Sequence, residues 1–300
     1  PTPVSAFLHS ATMVKAGVFL IARIHPIFSG TDAWFLLVSG TGMATMVLAG
    51  FLAFRQNDIK GILAFSTISQ LAYLVTMYGY TTYHEPGIGV AAATFHLLNH
   101  ATFKACLFLV AGIVAHEAAT RDIRKLGGLR HEMPLTFIVA SIGALAMAGI
   151  PPLNGFLSKE MFYESSVEMG AALGFPFSVL VPGIAVIGGV LTFAYSIKLI
   201  DGIFLGERKD EFLPHHIHEA PYVMFIPAGL LAGLIILFGL VPSIPVHSVI
   251  EPTTSGILLE TVHLHVTHWH GFTPAFMMTV ITFILGLLTY TKYDSLALWQ

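Results

Sequence analysis

The sequence predicts an all-α, polytopic membrane protein with about eight transmembrane helices, one of which is broken. Hydrophobic residues make up 55% of the 300 positions and charged residues only 10%, with a mean hydropathy of +0.77. A soluble domain usually carries about 25% charged residues, so this chain has too few to solvate a globular surface. The apolar residues also fall into runs of about 17–25, the length that crosses a bilayer. We therefore predict a single membrane domain over residues 1–300.

The composition also excludes several kinds of function. The net charge of −3 argues against a nucleic-acid-binding surface. The single cysteine, Cys106, leaves no partner for an intrachain disulfide or a cysteine-based metal site. The sequence contains no glycine-rich phosphate loop, nucleophile elbow, CxxC motif or pair of catalytic carboxylates, so we predict neither an enzyme nor a bound cofactor. Because the chain begins Pro-Thr-Pro without an initiator Met, we interpret it as a fragment of a longer protein.

Eight apolar runs are candidate membrane spans. They cover residues 4–22, 33–54, 61–80, 89–114, 134–169, 176–200, 222–241 and 273–291. The fifth run is too long for one simple helix and contains Pro151 and Pro152, followed by Asn154 and Gly155. Proline removes a backbone donor, clashes with the preceding turn and pushes the residue before it out of the helical region. We therefore predict two half-helices, a break that is tolerated at membrane depth only inside protein or beside a cavity.

The basic residues predict how the chain is oriented. Alternate loops on one side carry nine Lys and Arg residues, whereas the other side carries only Arg23; the nine are Arg55, Lys60, Arg121, Arg124, Lys125, Arg130, Arg208, Lys209 and Lys292. Short loops rich in Lys and Arg face the cytoplasm. The sequence thus predicts a multi-pass protein of the cell membrane with both ends of the chain on the cytoplasmic side. The four remaining lysines lie within spans: Lys15, Lys104, Lys159 and Lys198.

The fourth span carries three ionisable residues at intervals of four: His96, His100 and Lys104. On a helix such residues share one face, and this ladder would span roughly 12 Å. Ionisable groups in hydrocarbon are costly and are typical of ion or proton pathways, so we predict a proton relay. A single membrane histidine often serves only as a hydrogen bond between helices. Two histidines four apart can also bind a metal, but no carboxylate or thiol in the span's ladder completes such a site, so we predict none.

Two further lysines are candidates for the same relay. Lys15 lies too deep in the first span to reach water easily, and His9 precedes it by six residues, on a different helical face. Lys159 lies one turn past the predicted break, and the adjacent Glu160 is either a relay carboxylate or a residue of a solvated mouth. Lys198 lies close enough to the end of its span to extend to the interface.

Two other polar patterns allow more than one interpretation. Ser66, Ser69, Gln70 and Tyr73 follow helical spacing in the third span and could hold ordered water or simply pack helices together. The loop 242–272 contains four histidines close to Trp269, namely His263, His265, His268 and His270. An interfacial segment anchored by the tryptophan explains this loop more simply than a metal site does.

Four segments resemble the antiporter-like membrane subunits that occur in respiratory complex I and in Mrp-type Na⁺/H⁺ antiporters. They are residues 1–17, 58–70, 96–104 and 151–160, in that order along the chain. The closer resemblance is to the A-type subunit of the Mrp antiporters, because of Lys15, the loop that starts at His116 and the segment that starts at Trp269. The resemblance implies two inverted five-helix repeats. Residues 4–22 would be the last helix of the first repeat, 33–200 the second repeat, and 222–241 and 273–291 two extra helices.

The same resemblance implies roles for the buried residues. Lys15 matches a lysine that connects two half-channels, the ladder from His96 to Lys104 matches the central relay, and Lys159 matches the lysine of the broken helix. It implies a proton-translocating subunit of a multisubunit Na⁺/H⁺ antiporter, whose partners are other membrane subunits, protons, Na⁺ and the lipid bilayer. The alternative is a proton-pumping membrane subunit of NADH:quinone oxidoreductase, in which electron transfer drives the same residues.

Overall fold

The computed structural model describes residues 2–80, 87–269 and 271–292, so Pro1 and His270 lie outside the described residues. Within these ranges the chain forms α-helices and no β-strand, apart from one isolated bridge between Asp58 and Asp122. The helices are α1 (Thr2–Ser10), α2 (Met13–Phe28), α3 (Asp32–Trp34), α4 (Gly40–Arg55), α5 (Ile59–Gly79), α6 (Gly87–Glu117), α7 (Pro134–Ala148), α8 (Asn154–Leu173), α9 (Phe177–Phe204), α10 (Tyr222–Leu240), α11 (Ser243–Pro245), α12 (Glu251–Leu258) and α13 (Pro274–Thr291). Two π-helical turns, Phe35–Ser39 and Val246–Ile250, join α3 to α4 and α11 to α12.

Seven helical segments of the described chain are long and apolar enough to cross a membrane. They are Thr2–Phe28, Asp32–Arg55, Ile59–Gly79, Gly87–Glu117, Phe177–Phe204, Tyr222–Leu240 and Pro274–Thr291. The remaining predicted span corresponds to α7 and α8 together, where α7 is apolar but short. Large apolar side chains such as Phe19, Leu230 and Leu287 are exposed on the outside of the bundle. The prediction of an all-α, polytopic membrane protein is confirmed.

The predicted break in the fifth span is confirmed. Helix α7 ends at Ala148, Gly149 closes it with φ +86°, and α8 begins at Asn154. Gly149 is required there because its positive φ disfavours residues with a side chain. Gly155 is required for a different reason: a Cβ at this position would lie 1.8 Å from the carbonyl oxygen of Ala146. The two glycines thus allow the half-helices to approach each other closely.

The first predicted span, residues 4–22, also contains a break, which the sequence did not predict. Helix α1 ends at Ser10, and α2 begins at Met13 after Thr12, whose φ of −122° and ψ of −88° are not helical. The hydroxyl of Ser10 donates to Ala6 O, and that of Thr12 donates to Phe7 O at 3.3 Å. Short hydroxyl side chains compete in this way for the carbonyls that a helix would use. Lys15 therefore lies in the first turn after a break, as Lys159 lies shortly after its own.

Helix α6 is the centre of the bundle. It packs against α1, α5, α7, α8, α10 and α12. Its polar side chains are therefore enclosed by protein rather than by lipid, and those of Asn99, His100 and Lys104 are completely buried. The neighbouring α5 starts at an N-cap in which the Asp58 carboxylate accepts the backbone N–H of Gly61 at 2.9 Å, which satisfies one of the free donors of its first turn.

Candidate functional site

The three ladder residues of α6 lie on one face in the interior of the bundle. His96 is 2% exposed, and His100 and Lys104 are 0% exposed. The ring centroids of His96 and His100 are 6.4 Å apart, and Phe103 packs its edge near both rings. The spacing of four therefore brings the ionisable groups together as the sequence predicts, within a shell of aromatic and apolar side chains.

His96 is hydrogen-bonded through both ring nitrogens. Its Nε2 lies 2.8 Å from Gln70 Oε1 on α5, and its Nδ1 lies 3.0 Å from Ser158 Oγ on α8. The ring also stacks on Tyr73 with centroids 5.8 Å apart. Contacts from two other helices thus hold this imidazole in one orientation.

His100 is the opposite case. Neither of its ring nitrogens has a hydrogen-bond partner among the described residues, although the side chain is completely buried. Buried polar groups in folded proteins are nearly always paired with protein or ordered water. No contact among the described residues therefore selects which ring nitrogen of His100 carries the proton.

Lys104 is buried with few acceptors. Its Nζ donates to Ser66 Oγ at 2.5 Å, approaches Met147 Sδ at 3.2 Å and lies 3.5 Å from Leu63 O. An ammonium group has three donors and prefers charged or carbonyl acceptors. A hydroxyl, a thioether and one distant carbonyl compensate poorly for the lost hydration of a charge.

The break after α1 brings Lys15 to the ladder. Lys15 is half-buried, and its Nζ donates at 2.8 Å to the backbone carbonyl of Leu97, which lies between His96 and His100 on α6. On the other side of the same break, His9 stacks on Phe108 with ring centroids 5.1 Å apart, one turn beyond Lys104. Lys15 and His9 thus reach α6 from separate helices, in keeping with their prediction as groups that do not share a helical face.

The break before α8 places Lys159. Its side chain is buried and turns back so that Nζ donates to Ala148 O, the last residue of α7, at 2.8 Å. A Cβ at Gly149 would lie 2.6 Å from Lys159 Cδ, so the glycine leaves room for the lysine to pass. The irregular backbone between the half-helices therefore supplies the acceptor for Lys159, as broken helices do in transporters.

Glu160 follows Lys159 on α8. It is 6% exposed and lines a cavity of about 350 Å³ together with Glu164, His263 and His265. A cavity is what the mouth alternative requires, and both alternatives for Glu160 stay predictions. Among the residues that the structure describes, no cluster of three or more His, Cys, Asp or Glu side chains is placed to hold a metal ion.

The polar stripe of α5 contacts both the ladder and the neighbouring helices. Ser66 and Gln70 contact the ladder, as described above. Ser69 instead donates to Met46 O at 2.9 Å, and Tyr73 bonds Thr192 at 3.3 Å, so these two hydroxyls join α5 to α4 and α9. Ser158 and Thr192 were not singled out in the sequence. The only signal for them is a hydroxyl residue within an apolar span, which is common in membrane helices.

A second buried polar network holds the broken helix against α6. The side chain of Asn99 donates to Asn154 O at 2.9 Å, and that of Asn154 donates to Thr102 Oγ1 at 3.1 Å. Thr102 in turn donates to Asn99 O at 2.7 Å. These bonds fix the start of α8, and hence Lys159, relative to the ladder.

Residues 1–185 match the family described as NADH:quinone oxidoreductase/Mrp antiporter, transmembrane. The chain is 48% identical to the Na(+)/H(+) antiporter subunit A1 of Staphylococcus aureus, over 98% of this chain but 38% of that protein. It is thus less than half the length of the curated relatives it matches.

Two solved structures are similar to this one. The Mrp complex from Dietzia sp. DQ12-45-1b contains a chain with a TM-score of 0.86 and 34% identity, covering 98% of this chain and 31% of that one. The membrane-bound sulfane sulfur reductase, an archaeal respiratory membrane complex, contains a chain with a TM-score of 0.70 and 26% identity, covering 82% of this chain and 41% of that one. Because the family match covers more than half of the residues and includes all four sequence motifs, this chain belongs to the family of transmembrane subunits shared by NADH:quinone oxidoreductases and Mrp antiporters.

Proposed function

We propose that this chain forms part of the proton pathway of a multisubunit Na⁺/H⁺ antiporter in the cell membrane. One observation carries the proposal: Lys15, Lys104 and Lys159 lie in membrane helices, and none has a carboxylate within 4.0 Å among the described residues. A buried charge without a counter-ion costs several kcal/mol, and intramembrane ionisable residues typically mark transport pathways.

In this proposal the row runs through Lys15, His96, His100, Lys104 and Lys159. Each lysine alternates between a neutral and a charged form, because hydration no longer holds it in the charged form. Two like charges about 6 Å apart repel by roughly 3 kcal/mol at an effective dielectric constant near 20, so a proton arriving at one group favours release from its neighbour. His9 lies at one flank of the row, and Glu160 connects the other flank to the cavity beside α8.

Exchange against Na⁺ is a proposal for the whole protein. It is supported by the name of the Staphylococcus aureus relative, of which this chain matches 38%. Other membrane subunits would supply the remainder of the pathway. The proposed orientation, with both ends of this chain on the cytoplasmic side, rests on the basic loops, and the division into a first-repeat helix, a second repeat and two extra helices rests on the resemblance of the motifs.

A second candidate function is a proton pump driven by electron transfer. The family description includes NADH:quinone oxidoreductase, and the similar archaeal structure is described as a respiratory membrane complex. The higher identity to an antiporter subunit favours the first candidate. Purification of the intact complex separates them, because iron–sulfur and flavin subunits would accompany a redox-driven pump.

The proposal is tested by Lys104→Ala in the full-length protein within its complex. Na⁺-driven proton movement is measured in everted membrane vesicles with a pH-sensitive dye, at matched amounts of assembled complex. We expect at least a tenfold loss of rate, since about 1.4 kcal/mol added to the rate-limiting barrier already slows a step tenfold.

Lys60→Ala is the matched control, because Lys60 lies in the first turn of α5, outside the row. We expect it to keep the wild-type rate. A wild-type rate for Lys104→Ala would refute the relay, and an equal loss in both variants would show that removing any lysine of this region damages the complex.

A further inference from the structure

His96 belongs to a chain of hydrogen bonds in which each group donates to the next, and the last acceptor is a backbone carbonyl on α9. The Thr192 hydroxyl donates to Gly188 O at 2.8 Å, which uses its only proton. Toward Gln70, whose side-chain nitrogen lies 3.2 Å away, Thr192 Oγ1 can therefore only accept. The Tyr195 hydroxyl donates to Thr192 Oγ1 at 3.2 Å and accepts from Gln70 Nε2 at 3.0 Å. In this network Nε2 of Gln70 therefore faces α9 and Oε1 faces His96.

This orientation of Gln70 determines which nitrogen of His96 carries the proton. Gln70 Oε1 is an acceptor, so His96 Nε2 must donate to it across the 2.8 Å contact. In the neutral ring Nδ1 is then the acceptor, and the hydroxyl of Ser158 donates to it across 3.0 Å. With Gln70 oriented in this way, the neutral ring carries its proton on Nε2 and directs its lone pair at α8.

We propose that Gln70 and Thr192 are positioning residues that hold neutral His96 in the Nε2–H tautomer, so that His96 gains and loses its proton only at Nδ1, on the side of Ser158. This inference rests on the proposed proton pathway for its functional consequence. The Gln70 amide does not titrate, so no proton passes through His96 toward α5. The ladder therefore exchanges protons with the broken helix α8, which also carries Lys159.

Besides the ring itself, the step at Nδ1 changes only the contact with Ser158. A proton that arrives from a neighbouring group of the pathway bonds to Nδ1, and the ring becomes imidazolium. The Ser158 hydroxyl then turns to donate to Gly155 O, 3.3 Å away, and its oxygen accepts the new N–H bond. Loss of the same proton reverses both changes, and the bond from Nε2 to Gln70 persists throughout.

His100 shows why such a lock is a specific feature of His96. It lies one turn along the same helix and is equally buried, yet its ring has no partner among the described residues. Both tautomers of His100 are therefore open, and that ring can pass a proton through from one nitrogen to the other. The two histidines of the ladder thus have different roles: His100 passes protons between its two nitrogens, whereas His96 exchanges them only at Nδ1.

The test uses the intact complex with isotope-labelled histidine in this subunit, measured by solid-state NMR at neutral pH. A His96→Gln variant identifies the His96 signals by their loss. Thr192→Val removes the hydroxyl at nearly constant shape, whereas Thr192→Ser keeps it. We expect the pure Nε2–H tautomer in wild type and Thr192→Ser, and a mixture of both tautomers in Thr192→Val, accompanied by a several-fold loss of Na⁺-driven proton movement.

The inference is overturned if wild-type His96 carries its proton on Nδ1 or is already an imidazolium, or if Thr192→Val retains the pure Nε2–H tautomer. It is also overturned if Thr192→Ser loses the tautomer as fully as Thr192→Val, since the loss would then reflect packing. Because the NMR signal does not depend on transport, failure of the lock is distinguishable from failure of the proton pathway, which the Lys104→Ala measurement detects.

Discussion

Lys104 and Lys198 are both lysines buried in membrane helices, but their surroundings differ in kind. Lys104 is 0% exposed and bonds one hydroxyl at 2.5 Å, with a thioether and a distant carbonyl as its other neighbours. Lys198 is 4% exposed and donates to Phe54 O at 2.7 Å, Gln56 O at 2.8 Å and Asn57 Oδ1 at 3.4 Å. Three oxygen acceptors match the three donors of an ammonium group, so the hydrogen-bonding capacity of Lys198 is met by the protein. Acceptors, rather than depth in a span, therefore distinguish a structural lysine from a candidate carrier.

The acceptors of Lys198 belong to a clamp at one end of the bundle, formed by the chain after α4 and the loop after α6. Backbone bonds at 2.9 Å join Ile59 to Arg121 and Ile123 to Asn57. Lys198 ends α4 by binding its last carbonyls, a favourable position for a cation at the negative end of a helix. The clamp is thus rigid and charged, whereas the row between α6 and α8 is poorly compensated.

The largest effect is expected where the row depends on close backbone contact. Gly155→Ala would place a Cβ 1.8 Å from Ala146 O, so α8 must move away from α7 and take Lys159 from its bond to Ala148 O. We expect loss of Na⁺-driven proton movement and a fall in the free energy of unfolding of at least about 3 kcal/mol. Thermal unfolding and transport of the intact complex measure the two effects.

Gly233→Ala is the control for this substitution, because a Cβ at that position of α10 meets nothing within 4 Å. Alanine is also a better helix former than glycine, so this variant should be at least as stable as wild type. Equal stability and equal transport rates of the two variants would show that the row tolerates displacement of α8. That result would contradict the proposed difference between the row and the clamp.

A medium effect is expected from Lys198→Ala, with consequences opposite to those of Lys104→Ala. Loss of a charged hydrogen-bonding group that ends α4 should lower the free energy of unfolding by about 2 kcal/mol. Transport per assembled complex should stay at the wild-type rate, since Lys198 lies outside the row. Thermal unfolding and vesicle transport, measured on the same preparations, check both statements; a transport loss at normal stability would move Lys198 into the pathway.

The features set by local chemistry were predictable from the sequence. The ladder follows from the helical period, and the break before α8 follows from Pro151 and Pro152, because both depend on residues close together in the chain. The break after α1 was not predicted, since no proline or glycine lies between Ser10 and Met13 and only hydroxyl groups compete with the helix.

The partners of the ladder could not be predicted for a different reason. Gln70 meets Thr192, 122 residues further along the chain, and His96 meets Ser158 across 62 residues. Such pairs depend on how helices pack, and one sequence carries no signal for which hydroxyl faces which amide. Glu160 illustrates the same limit: the sequence left it as either a relay carboxylate or a residue of a solvated mouth, and only packing shows that it lines the cavity beside α8.

The smallest effect is expected at the surface of the clamp. Arg124 donates to the Asp122 carboxylate at 2.8 and 3.0 Å, and these hydrogen bonds hold the pKa of Asp122 below its usual value. Asp122 therefore stabilises the folded protein above its unfolded pKa of about 3.9, and this contribution is lost as the pH falls through the lower folded-state pKa. Asp122→Asn should lower Tm by about 1 °C at pH 7, the size expected of an exposed ion pair, and by progressively less as the pH falls from 5 towards 3. Scanning calorimetry measures this difference against Glu211→Gln, a control that removes an exposed carboxylate between α9 and α10. A Tm difference that grows on acidification would contradict the assignment, and loss of transport would show that the clamp and the row are coupled.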